Sequence, residues 1–194
     1  MNTSYSYESL NQRLRPGHVY RRDMLLSYSK AVDRDLETLV KEGLLRKLAA
    51  GLYYKPAMSD LGMLPPKDDN LVGCFLRDKH FLLYSWNQYN SLGVGLTQLY
   101  NRVVVLNSKR HGVFKLGNKE FEFRRSNKGF PNKVTSEFLL VELINNLNNL
   151  AEDTSLVKQN VLNNLARFDQ EKLLRLARAY GKISTKKFFE EICH

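Results

Sequence analysis

The stretch Val32-Asp33-Arg34-Asp35-Leu36-Glu37-Thr38-Leu39-Val40-Lys41-Glu42-Gly43-Leu44-Leu45-Arg46-Lys47-Leu48-Ala49-Ala50-Gly51-Leu52-Tyr53-Tyr54 decides how the first third of the chain folds. Its first half has a helical pattern. Val32, Leu36, Leu39 and Val40 stand at i, i+4, i+7 and i+8, which makes one apolar stripe for burial. Ser29 can cap this helix, predicted from Lys30 to Glu42, and Gly43 supplies a stop. The second half turns extended. Leu44–Leu48 and Leu52–Tyr54 flank Ala49-Ala50-Gly51, where Gly51 can take the positive φ of a hairpin turn, and Pro56 ends the run.

Upstream, Tyr7–Leu14 reads as a short helix that stops at Arg15-Pro16-Gly17, a turn signal. His18-Val19-Tyr20 is briefly extended, and Arg21–Tyr28 reads as a second short helix with Met24, Leu25 and Tyr28 near one face. Three helices and a hairpin follow the plan of a winged helix-turn-helix. In that plan the third helix enters the major groove and the hairpin wing lies along the backbone or minor groove.

With the stripe turned inward, Lys30, Asp33, Arg34, Glu37 and Lys41 face out. Lys30, Asp33 and Arg34 occupy the end that a recognition helix presents to bases. Arg34 suits bidentate pairing with guanine, and Asp33 can accept from cytosine or orient Arg34. Tyr28 and Ser29, in the preceding turn, suit phosphates. Arg21 and Arg22 open the helix that crosses the backbone, and Arg46 and Lys47 lie on the wing. The alternative for each is an ordinary solvated face, in which Glu37–Lys41 attract and Asp33–Glu37 repel.

Charge favours a polyanionic partner. The 194 residues carry 30 Lys+Arg against 20 Asp+Glu, a net +10. Residues 1–58 hold +4 of it, 59–133 hold +6, and 134–194 balance to zero. A basic first two-thirds with a neutral tail fits nucleic acid. Hydrophobic residues at 43% exclude a disordered chain. No apolar run is long enough to span a membrane, and the polar start of the chain lacks the pattern of a signal peptide. Cys74 and Cys193 form no ligand-spaced pair, which suits a reducing cytoplasm.

The stretch from Arg15-Pro16-Gly17 through Lys55-Pro56 resembles the N-terminal winged helix of AbiEi-type antitoxins, the abortive-infection regulators of type IV toxin–antitoxin systems. The matching residues are Leu36 to Lys47 followed by Gly51-Leu52-Tyr53-Tyr54. Beyond the wing, Tyr84-Ser85-Trp86, Ser91-Leu92-Gly93, Gly95-Leu96-Thr97-Gln98 and Val103-Val104-Val105-Leu106 follow in an order similar to the family's second domain. The resemblance covers roughly residues 15 to 130. It implies a DNA-binding autorepressor that neutralises a nucleotidyltransferase-like toxin, a role thought not to need a tight complex with it. On this chain the DNA role falls on residues 28–34 and on Arg46 and Lys47. Operators of such proteins are usually inverted repeats, which suits a homodimer on DNA; the sequence leaves the oligomeric state open.

The expected architecture is α+β. A winged helix-turn-helix (1–58) and a linker (59–69) precede a domain over 70–194, mixed α/β to 133 and helical from 134. Pro65-Pro66 stiffens the linker. Leu71–Asp78 and Trp86–Leu92 read as helices and Leu99–Leu106 as a strand. Val113–Leu116 and Glu120–Arg124 form a hairpin around Gly117-Asn118, with Phe114 and Leu116 facing Phe121 and Phe123. Basic clusters flank it, Lys109 and Arg110 on one side and Arg124, Arg125 and Lys128 on the other. They offer a secondary nucleic-acid contact or simply protect strand edges. Helical stripes follow at Val134/Phe138/Val141/Ile144/Leu147 and Val157/Val161/Leu165/Phe168. Asp169 can cap a helix carrying Leu173, Ala177 and Tyr180, and Ser184 a last one carrying Phe188, Phe189 and Ile192. Phe188 and Phe189 read as core or as a docking surface for a partner.

Catalytic constellations are sparse. His18, His80, His111 and His194 share no metal-ligand spacing, and Gly93-Val94-Gly95 is no phosphate loop. Glu120 and Glu122 with Lys119 form only a faint nuclease-like pair, since a third carboxylate is missing. The reading is a non-enzymatic regulator without cofactor or metal. The alternatives are a winged-helix protein-interaction module and a ligand-responsive repressor with a pocket in the 70–133 region.

Overall fold

The computed structural model describes residues 4–193. The chain is mixed α+β and divides into two compact units. One comprises Met1–His80 with Phe114–Glu120, the other Phe81–Val113 with Phe121–His194.

In the first unit, α1 (Ser4–Arg13) leads to strand β1 (Val19–Arg21), a short 3-10 turn (Arg22–Leu25) and α2 (Val32–Lys41). Strands β2 (Arg46–Ala49) and β3 (Leu52–Tyr54) follow as an antiparallel hairpin, and β1 pairs with the other edge of β3, giving the order β1-β3-β2. The stripe predicted for α2 is buried: Val32, Leu36 and Leu39 join Leu10, Leu14, Leu25 and Leu45 in one core. Each such side chain contributes about 1.5–3 kcal/mol relative to remaining exposed. Gly43, at φ +73°, reverses the chain after α2.

Two local expectations are corrected here. Arg21–Tyr28 is no helix. Arg21 pairs with Leu52 in the sheet, and the Arg22 N–H donates to the Gly51 carbonyl at 2.9 Å, so only one 3-10 turn remains. Of the three residues expected on one face, Leu25 is buried while Met24 and Tyr28 are exposed. The second correction concerns residues 59–69. The antiparallel pair β4 (Ala57–Ser59) and β5 (Gly62–Leu64) occupies much of that stretch, and α3 (Asp68–Leu76) starts at its end.

A four-stranded sheet has the order β6-β7-β9-β8, formed by Phe81–Ser85, Val103–Asn107, Lys119–Arg125 and Gly112–Leu116 respectively. The Val103–Asn107 and Lys119–Arg125 strands run parallel, with Asn107 opposite Arg125. Trp86–Leu92 is a 3-10 helix rather than an α-helix, started by a Ser85/Gln88 capping box. The strand expected from Leu99 begins only at Val103. The helical third comprises α4 (Ser136–Asn146), α5 (Thr154–Asn163), α6 (Gln170–Tyr180) and α7 (Ile183–Ile192). Asp169 caps α6 as expected, its carboxylate accepting from the Lys172 N–H at 2.9 Å. Ser184 does not cap α7, which begins one residue earlier behind Lys182. Phe189 is buried and Phe188 half-buried against the same core, so this pair packs inward and offers no docking surface.

Candidate nucleic-acid interface

The outward face of α2 is charged because its apolar residues fall on the opposite side. Asp33, Arg34, Glu37 and Lys41 are exposed along it, and Lys30 is exposed just before it. The Arg34 backbone carbonyl accepts from the Thr38 hydroxyl at 3.0 Å, and the residue is exposed. Asp33 holds a different partner from the one expected: its two oxygens accept from Arg22 Nε and Nη2, both at 2.5 Å. The hydrogen bond to Arg22 holds the Asp33 carboxyl below its usual range, despite slight desolvation. The pair thus ties the 3-10 turn to the start of α2 and presents Arg22 beside that helix.

Ser29 builds the turn before α2. Its hydroxyl donates to the buried Asp35 carboxylate at 2.5 Å and accepts from the Ala31 N–H at 2.9 Å. This committed hydroxyl positions the helix start rather than meeting a phosphate. Tyr28 is exposed, with the Arg13 guanidinium 5.4 Å from its ring centre, so Arg13 joins the basic groups at this turn. Arg13 ends α1, 15 residues before Tyr28, and no local pattern joins the two.

Arg21 leaves the predicted set. Its guanidinium donates to the Cys74 and Phe75 carbonyls at 3.1 and 3.4 Å, at the C-terminal end of α3, and the side chain is 19% exposed. It joins β1 to α3. Replacing Arg21 with alanine is expected to lower stability by about 1–3 kcal/mol through lost charged hydrogen bonds. Urea unfolding measures the loss; an unchanged midpoint contradicts this structural role. Arg46 and Lys47, by contrast, are both exposed on β2.

The basic clusters of the second unit are sorted by sheet geometry. Parallel pairing of Asn107 with Arg125 brings both clusters to one end of the sheet, and the Ser126 N–H donates to the Asn107 carbonyl at 2.9 Å. The buried Asn107 side chain shapes the turn, accepting from the Lys109 and Arg110 N–H groups at 2.8 and 2.6 Å. Lys109, Arg110, Arg125 and Lys128 are exposed there. The fold also brings Lys128 to a shallow depression with Lys182, Lys186 and Lys187 around the start of α7. The 182–187 lysines were visible in the sequence, but their meeting with Lys128 needs the tertiary fold.

Arg124 does not belong to this surface. Its Nε donates to Glu122 at 2.8 Å and its Nη1 to Asn146 at 3.1 Å, with Glu142 at 3.6 Å. The Tyr84 hydroxyl donates to the buried Glu142 carboxylate, and burial, together with that charge, pushes the Tyr84 phenol strongly upward. Burial works to raise Glu122, but the Arg124 hydrogen bond and the charges of Arg124 and Arg102 outweigh it and hold the carboxyl low. These groups form an internal polar network, and Glu122 is not a free nuclease-like carboxylate.

Among the described residues, no group of three His, Cys, Asp or Glu side chains could hold a metal ion. His194 lies outside the described residues. No described helix is long and apolar enough to cross a membrane. No curated protein matches the chain. A family profile matches residues 8–174, and the chain therefore belongs to that family, described as a family of unknown function (DUF6088).

Proposed function

We propose that the chain is a DNA-binding transcriptional regulator built on an N-terminal winged helix-turn-helix whose second helix is reduced to the 3-10 turn Arg22–Leu25, acting as an AbiEi-like antitoxin that represses its own promoter. One observation carries the DNA-binding part. Helix α2 buries Val32, Leu36 and Leu39 while Lys30 and Arg34 stand exposed at its N-terminal end, and a hairpin with exposed Arg46 and Lys47 follows it. This division matches the demands of a major-groove helix with a wing on the backbone. Arg34 is the base reader in this reading. Arg22, Lys30, Arg46 and Lys47 contact phosphates, and Arg13 and Tyr28 border them. The role requires no cofactor, metal or catalytic step, and its place is the cytoplasm. An inverted-repeat operator would engage two copies.

The antitoxin half rests on the resemblance of residues 15–130 to AbiEi-type antitoxins, and implies counteraction of a nucleotidyltransferase-like toxin. A promoter–reporter fusion of the DNA upstream of the gene tests the first half, with the expected result that expressing this chain represses the reporter. Co-expression with the neighbouring gene tests the second. Rescue of growth supports it, whereas growth inhibition unchanged by this chain contradicts it.

A second reading has its own support. The β4–β5 hairpin exposes Met58 and Leu61, at 71% and 101%, alongside the partly exposed Met63 and Leu64. An apolar hairpin tip of this kind suits protein contact, so a protein-interaction module is the alternative if DNA binding fails.

A further inference from the structure

A cavity of about 290 Å³ opens beside the wing, and every residue lining it belongs to the first unit. Its size lies at the lower edge of small-molecule sites, roughly 300–1,000 Å³. Leu48, Tyr54, Met63 and Leu116 supply apolar wall, and Arg46, opposite Tyr54 in the register and on its face of the sheet, stands at the wing side. The Tyr54 hydroxyl is occupied, donating to the Leu64 carbonyl at 2.7 Å. At the far side the Gly117 N–H donates to the Leu48 carbonyl at 2.8 Å. Gly117 has φ +64°, and a Cβ there would lie 3.0 Å from Leu48 Cδ2, so glycine permits this close approach.

Charge selects the occupant. The single carboxylate among the lining residues, Asp68, is bound by Lys119, whose Nζ donates to both oxygens at 2.8 and 3.1 Å. Arg46 and Lys47 are exposed and enter no ion pair among the described residues. One unpaired cation beside an apolar wall, with few further donors, suits one carboxylate on an apolar body better than a phosphate, which demands more donors.

We propose that this cavity binds a small amphipathic carboxylate, whose charge engages Arg46 and thereby competes with DNA phosphate for the wing. The competition rests on the DNA-binding reading; the binding does not.

The test uses the full-length protein, isotope-labelled for amide NMR and titrated with octanoate and 1-naphthoate. The neutral amides octanamide and 1-naphthamide serve as controls. Saturable shifts confined to 46–48, 54, 63–71 and 116–119, at about 1 mM affinity or tighter for ligands of this size, are expected for the carboxylates. The amides should bind at least tenfold more weakly. Arg46→Ala should remove that preference, and Met63→Trp, at a partly exposed position, should fill the cavity and abolish the shifts. Each variant's spectrum reports whether it is folded. Carboxylates that shift nothing, or that bind no better than their amides, overturn the proposal. DNA affinity is then measured with saturating carboxylate at constant ionic strength. A fall of about tenfold supports competition, and an unchanged affinity overturns it. If DNA does not bind even without carboxylate, the DNA-binding reading fails while the shifts still decide the cavity.

Discussion

Replacing Arg124 with methionine is expected to destabilise the protein by about 3–5 kcal/mol, because it strips the cation from a network holding two carboxylates. Glu142 is 7% exposed and Glu122 partly buried, and Arg124 is the cation that reaches both, at 3.6 and 2.8 Å. Arg102 remains, but touches only Glu122, at 3.5 Å, with its guanidinium over the Trp86 ring. Methionine keeps much of the stem's volume, so the loss reports the charge rather than a cavity. Adding Glu142→Gln should recover part of it, since the neutral amide no longer needs a counter-charge. The pH dependence carries a sign. Glu122 is held below its ordinary value, so its stabilisation is complete above the usual carboxylate range and is lost as pH falls through the lowered value. The gap between wild type and variant should therefore narrow from pH 7 to pH 3 in urea unfolding. A gap below about 1 kcal/mol at pH 7, the size of a surface pair, contradicts the network.

Replacing Arg34 with alanine is expected to cost about 1–3 kcal/mol of specific DNA binding and to relax discrimination at one base pair. Its exposure at the N-terminal end of α2 means that folding stability should stay within about 0.5 kcal/mol. Lys47→Ala is expected to act differently, weakening all sequences alike and reducing the salt slope by about one. Normal operator binding by the Arg34 variant removes α2 from the groove. Equal effects of the two variants on specific and non-specific DNA contradict the division between base reading and phosphate contact.

The parts legible in the sequence were those set by local pattern. The Val32/Leu36/Leu39 stripe, the Gly43 stop and the Gly51 hairpin each depend on residues within a few positions of one another. The second short helix failed because a distant partner overruled local propensity: Arg21 joins β3, and its guanidinium meets the end of α3. Arg124 looked like surface charge within a basic run, yet the parallel pairing and Glu142, 18 residues later, draw it into an internal network. The cavity beside the β2–β3 hairpin was not legible either, since residues 46–48, 54, 63–71 and 116–119 meet only in the folded chain. Asp33 was read correctly as exposed, but its partner Arg22 comes through the 3-10 turn that replaced the expected helix.

The most direct test of the central claim is binding of the purified full-length protein to the DNA immediately upstream of its gene, followed by fluorescence anisotropy. The titration is repeated at several salt concentrations and against unrelated competitor DNA. Specific binding, at least about 1,000-fold tighter than to competitor and falling steeply with salt, is predicted. Equal affinity for operator and competitor, or affinity insensitive to salt, would contradict a DNA-reading role for α2 and the wing.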